Sequence, residues 1–165
     1  MASVSEQDVL IWLHDDSTVA RSVSDLTGLA PLAAVGIVVL TVLLSLRRWR
    51  DALFFTAAVG VVWAVNPLLK QLFGRSRPEL WPLPPEVSEY SFPSGHAANT
   101  AALVGALVLI AGRLPVLLLG AVLVLIAGWA QLALGRHYPT DVLAGWLWAL
   151  TFVAVVRNVT KGGPG

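Results

Sequence analysis

The chain has 165 residues, enough for one domain, with a net charge of +1 and no cysteine. Disulfides and thiolate metal sites are excluded, and the charge gives no case for binding nucleic acid. Hydrophobic residues make up 56% and charged residues only 13%, with a mean hydropathy of +0.74; soluble domains carry about 25% charged residues. A soluble core of this size would have to hide several long uncharged runs, so an integral membrane protein is expected.

In chain order, residues 1–25 form an acidic segment with Glu6, Asp8, Asp15, Asp16 and Asp25 against a single Arg21. That balance is the reverse of a basic secretory leader. Ser5 is a candidate cap for a helix reaching about Leu26, with Val9, Trp12, Leu13, Val19, Val23 and Leu26 on one stripe. Too polar to span, the segment is expected to lie at the membrane interface or to remain a partly ordered tail. His14 has no partner in sequence and is expected at the surface.

Five candidate spans follow, over residues 26–157: Leu26–Leu46, Ala52–Leu69 (interrupted at Asn66-Pro67), Ala97–Arg113, Leu114–Gly135 and Val142–Val156. A bilayer core needs about 20 helical residues. The third and fifth reach that length only by including Pro93–His96 and His137–Asp141. Small residues Ala98, Ala101, Ala102 and Gly105, and Gly145 with Ala149, offer faces for close helix packing. Residues 158–165 are expected as a tail. The fold expected is thus an all-α bundle of about five spans with an interfacial N-terminal helix.

Five crossings from residue 26 bring Arg47, Arg48, Arg50, Arg113, Arg157 and Lys161 to one face, read as cytoplasmic by its positive charge. The segments Lys70–His96 and Arg136–Asp141 share the opposite, extracytoplasmic face. Between them the loop Glu79–Phe92, rich in proline, is expected either to cover the site with Trp81, Tyr90 and Phe92 or simply to anchor at the interface. Arg75 is expected either on a lipid headgroup or in a solvated loop. Asn99 is expected as a packing residue.

Charged groups at a membrane boundary are costly unless paired or solvated, which invites a functional reading. Lys70 and Arg77 supply fixed positive charge suited to phosphate oxygens. Pro93-Ser94-Gly95-His96 opens a helix whose free N–H groups make an anion site, beside a hydroxyl and an imidazole. His137 and Asp141 are four apart at the start of another helix. Asp141 can there orient one ring nitrogen and leave the other nucleophilic. These parts suit phosphoryl transfer: His137 attacks phosphorus, His96 protonates the leaving oxygen, and water cleaves the phosphohistidine. No metal or cofactor is required.

Lys70 with Arg77-Pro78, Pro93–His96, and His137 with Asp141 follow in order the patterns K-x6-R-P, P-S-G-H and the end of S-R-x5-H-x3-D. Over roughly residues 52–156 the chain resembles the type 2 phosphatidic acid phosphatase superfamily. The resemblance implies a helical membrane core, lipid phosphatase activity, the roles given above, and phosphate binding by Lys70, Arg77, Ser94 and Gly95. One departure stands out: the Ser-Arg of the third pattern is Ala130-Gln131 here. Either Arg136 supplies the missing charge, or the substrate needs less of it, or the chain is impaired.

The expected substrate is a lipid phosphate or diphosphate in a bacterial plasma membrane. A polyprenyl diphosphate is favoured, with phosphatidic acid and phosphatidylglycerophosphate as alternatives. The rival readings are a silent lipid-phosphate binder or transporter, and a lipid phosphotransferase. Oligomeric state is not legible in the sequence.

Overall fold

A computed structural model describes residues 5–85 and 87–161; residues 1–4 of the N-terminal segment and 162–165 of the expected tail lie outside them. Seven helices follow one another: α1 Glu6–Leu13, α2 Thr18–Leu26, α3 Leu29–Ser45, α4 Trp49–Phe73, α5 Gly95–Ala111, α6 Leu114–Ala133 and α7 Pro139–Lys161.

The N-terminal segment is two helices rather than one. Ser5 caps α1 in a reciprocal box, accepting from Asp8 N at 3.1 Å while Asp8 Oδ2 accepts from Ser5 N at 2.8 Å. The chain then turns: Asp15 N donates to Ala133 O at 3.0 Å, and Asp15 Oδ1 accepts from Ser17 N at 2.9 Å. Ser17 caps α2 by accepting from Ala20 N. A carboxylate and a hydroxyl that satisfy backbone N–H groups thus make ending one helix and starting another inexpensive. Both helices pack against α6. His14 is exposed, as expected, but it does have partners: its ring stacks on Trp81 at 3.8 Å and its Nδ1 donates to Ala133 O at 3.1 Å.

Helices α2 and α3 meet at a 46° bend around Thr27 and Gly28. Helix α4 runs through Pro67, which costs one backbone hydrogen bond but does not end it. The end comes at Gly74, whose φ of +57° gives the left-handed cap and whose N–H returns to Lys70 O. Lys70 is therefore helical, in the last turn of α4. Helices α4, α6 and α7 (over Pro139–Thr160) are long and apolar enough to cross a membrane, and α2 with α3 makes a fourth candidate if the bent pair is one span. Helix α5 starts at Gly95, and its 17 residues fall just short of that length.

Helix α5 packs against α3, α4, α6 and α7 at the centre of the bundle. Its inward residues are mostly small: Ala97, Ala98, Ala101, Ala102 and Ala106 are fully buried, with Thr100 and Leu103 buried beside them. Large apolar residues point outward instead, including Leu118, Leu119 and Leu125 on α6 and Leu143 and Leu147 on α7. Small inside and large outside is the pattern of helices that meet in lipid, where close backbone approach replaces the hydrophobic drive. Gly145 marks the crossing where backbone meets backbone, because a Cβ there would lie 2.8 Å from Ser94 O and 3.2 Å from Ala98 N.

At one end of the bundle Asp51 accepts from Arg48 at 2.9 Å and from Arg157 at 3.0 Å. This brings the α3–α4 turn beside α7, on the face the alternation of spans predicts. The opposite end gathers the polar segments.

Candidate active site

The α4–α5 loop, the α6–α7 loop and the bend between α2 and α3 meet at that opposite end around one cavity of about 710 Å³. Its wall includes Lys70, Arg77, Gly95, His96, Gln131, Arg136 and His137, brought together from five stretches of chain.

His137 lies between α6 and α7 and is 2% exposed. Its Nε2 is 3.2 Å from Arg77 Nη1. A guanidinium only donates, so Nε2 accepts and the ring proton sits on Nδ1. Nδ1 faces Asp141 Oδ2 at 3.5 Å, an approach just short of a formed hydrogen bond. Burial pushes the His137 imidazole down to about 3; Asp141 opposes this, and the cations of Arg77 and Lys70 add to it. The imidazole is therefore neutral at physiological pH, with its Nε2 lone pair toward the cations.

Asp141 is fully buried in the first turn of α7. Its Oδ2 accepts from Tyr138 N at 2.9 Å and its Oδ1 from Arg75 Nη1 at 2.7 Å. Its backbone carbonyl accepts from Ser94 N at 3.0 Å, which fastens the start of α5 to the start of α7. Ser94 itself is fully buried and acts as the N-cap of α5, accepting from Ala97 N at 3.5 Å. Gly95 and His96, the next two residues, are the ones that line the cavity.

The cations are individually tied. Lys70 Nζ donates to Tyr90 O at 2.8 Å and to Ser91 O at 3.3 Å. Arg77 Nε donates to Ser88 O and its Nη1 to Arg136 O, each at 2.5 Å. Burial lowers Arg77 to about 10, so it remains charged. Gln131 is fully buried in α6, and its Nε2 donates to Ser24 Oγ at 3.1 Å. The same oxygen accepts from Arg136 Nη1 at 2.9 Å. One hydroxyl from α2 therefore holds the neutral Gln131 and the charged Arg136 side by side.

Several residues at this end are not singled out by the sequence. Ser24, Trp63 and Asn66 line the cavity, and Asn99, expected as packing, lines it too. Arg75, in the α4–α5 loop, is tied within the protein: it bonds Glu6, Thr140 and Asp141 and lies 4.1 Å over the Tyr138 ring. Trp81 does not cover the cavity but stacks on His14 and presses against Gly135, where a Cβ would meet it at 2.4 Å. Among the described residues no three His, Asp or Glu side chains cluster as metal ligands do.

The sequence profile described as PAP2 superfamily matches residues 48–162. The chain belongs to the PAP2 superfamily, and its apolar helices make it an integral membrane protein of that superfamily. It is 37% identical, over 70% of its own length and 65% of the relative's, to the decaprenylphosphoryl-5-phosphoribose phosphatase of Mycobacterium tuberculosis. It is 28% identical to phosphatidylglycerophosphatase B of Bacillus subtilis, over 94% of this chain and 81% of that one. The crystal structure of a transmembrane PAP2 type phosphatidylglycerolphosphate phosphatase from Bacillus subtilis superposes with a TM-score of 0.83, at 23% identity, covering 96% of this chain and 86% of that one. The relatives are phosphatases named for lipid-linked substrates. The chain spans about two thirds of the length of the mycobacterial relative.

Proposed function

We propose that this protein is a lipid phosphate phosphatase with His137 as its nucleophile. The observation that carries the reading is the neutral, buried His137 with Nε2 turned toward Arg77 at the wall of a cavity that Lys70, Arg136 and His96 share. A phosphate entering this cavity competes with Nε2 for the Arg77 guanidinium. Arg77, Lys70, Arg136 and the N–H groups at the start of α5 then hold its oxygens, and the Nε2 lone pair is released for attack at phosphorus. The negative charge of the bound phosphate favours a protonated His96, which donates that proton to the leaving oxygen as its bond to phosphorus breaks. Asp141 stabilises the positive charge that develops on the His137 ring. Water then attacks the phosphohistidine, with His96 taking its proton, and inorganic phosphate leaves. No metal takes part in these steps.

In this reading α3 to α7 are the five spans, and α1 and α2 sit at the interface over the site. The bundle lies in a bacterial plasma membrane with the site on the extracytoplasmic face. The cavity continues from the phosphate site to the bend at Thr27, Gly28 and Pro31, beside Trp63 and Pro67. That side is apolar and is the place for the lipid chain. The substrate is a polyprenyl-linked phosphate or diphosphate, a class supported by the name of the mycobacterial relative. Gln131 favours a second reading, binding without turnover, since it is neutral where the family pattern has arginine.

Phosphate release in detergent, with chelator present, decides between them. A polyprenyl diphosphate, a polyprenylphosphoryl phosphoribose, phosphatidic acid and phosphatidylglycerophosphate form the panel, with His137→Ala as control. Chelator-resistant release that the substitution abolishes is the expected result. A folded protein that binds these lipids and releases nothing is a binder.

A further inference from the structure

Glu6 lies in α1, far in sequence from every motif, yet its carboxylate reaches the start of α7. Oε1 accepts from Thr140 N at 3.0 Å and from Thr140 Oγ1 at 2.7 Å, and Oε2 accepts from Arg75 Nη2 at 2.7 Å. Arg75 gives its other arm to Asp141 Oδ1, also at 2.7 Å, and that same nitrogen donates to Thr140 Oγ1 at 2.6 Å. The result is a continuous chain of charge-assisted bonds, Glu6 to Arg75 to Asp141, ending at the carboxylate that faces His137 Nδ1. We infer that Glu6 and Arg75 are positioning residues for the proposed phosphoryl transfer, holding Asp141 in the orientation that aims His137.

Asp141 is fully buried, and its two oxygens must serve a backbone N–H, a guanidinium and the imidazole. A carboxylate so shared turns readily about its own bonds unless its partners are themselves fixed. Arg75 is fixed on three sides, by Glu6, by Thr140 and by the Tyr138 ring beneath it. Glu6 has a second effect. Its negative charge offsets that of Arg75, so that Arg75 orients Asp141 without fully neutralising it. Asp141 thereby keeps the charge it needs to stabilise a cationic His137. Burial works against the Glu6 carboxylate, but the bonds from Thr140 and Arg75 prevail and hold it below the usual carboxylate range. It is ionised wherever the site would work. Glu6 also occupies the N-terminal turn of α7, where free N–H groups favour an anion. Helix α1 is on this account a component of the site.

This inference rests on the proposed phosphatase reading, and the test separates the two. Steady-state kcat and KM for phosphate release are measured for wild type, Glu6→Gln, Glu6→Asp, Asp141→Asn and the Glu6→Gln/Asp141→Asn pair. Asp16→Asn serves as a control for charge in the same segment, since Asp16 pairs only with Arg21 among the described residues and both are exposed. Glu6→Gln is expected to lower kcat about tenfold or more with KM unchanged, because a misaimed nucleophile loses rate and not binding. Glu6→Asp should recover part of that loss, and Asp16→Asn should match wild type. In the Asp141→Asn background Glu6→Gln should change nothing further, because the carboxylate it positions is gone. Wild-type kcat in Glu6→Gln, a loss confined to KM, or full additivity with Asp141→Asn overturns the inference while the phosphatase reading stands. A wild type that releases no phosphate from any lipid overturns both.

Discussion

At the scale of single residues, the chemistry turns on which charges are fixed and which groups stay neutral. Arg77 donates to His137 Nε2 and thereby sets the tautomer, while burial keeps the ring neutral. Gln131 keeps the place of a family arginine as a neutral amide, and Ser24 ties it to Arg136. The charge missing from position 131 is thus present a few ångströms away, on a residue that lines the same cavity. Arg136→Gln should remove a charge-assisted contact worth about 2 kcal/mol, lowering kcat/KM about thirtyfold. Steady-state kinetics on the lipid that is turned over fastest checks this. An unchanged kcat/KM would leave the Gln131 site short of charge, as the impaired reading requires. Spacing alone singles out Lys70, Arg77, His96, His137 and Asp141, because each motif is local and its chemistry follows from residue type. Arg136 needs only its adjacency to His137. Glu6 and Ser24 are not legible, since their partners lie 134 and 112 residues away.

At the scale of helices, one crossing holds the site together. Ser94 N bonds Asp141 O, and Gly145, one turn along α7, lets the two backbones approach. Gly145→Ala places a methyl 2.8 Å from Ser94 O, a clash with backbone that cannot rotate away. The cost should be about 1–3 kcal/mol of stability. Thermal unfolding in detergent should show a lower midpoint, and phosphate release should fall further than stability explains, because the start of α5 moves away from His137. A wild-type midpoint would mean that the helices have room to separate here. The small faces of α5 and α7 are readable from the sequence as repeating Ala and Gly. The bounds of α4 are less so. Pro67 suggests an interruption, yet the helix runs on to Phe73, because a proline costs a buried helix one bond and a kink rather than its continuation. The break between α1 and α2 is written in Asp15, Asp16 and Ser17, residues that serve equally inside a polar helix or at its end; contact with Ala133 decides the matter.

At the scale of the whole molecule, alternation of the apolar helices puts the Arg48, Asp51 and Arg157 cluster at one end and the cavity at the other. The chain has no cysteine, so single substitutions report topology cleanly. With the site outward, Glu79→Cys should react with an impermeant maleimide in intact cells, and Ser45→Cys only after permeabilisation. The reverse pattern would turn the molecule over. The central claim, that His137 carries the phosphoryl group, is tested most directly by trapping it. Protein mixed with a lipid labelled in its terminal phosphate, quenched in alkali within a turnover and digested, should yield one labelled peptide. That label should be stable to alkali, labile to acid, carried on His137 and absent from His137→Ala. Phosphate release with no label on His137 at any quench time, under conditions that preserve phosphohistidine, would contradict the account and assign the attack on phosphorus to water.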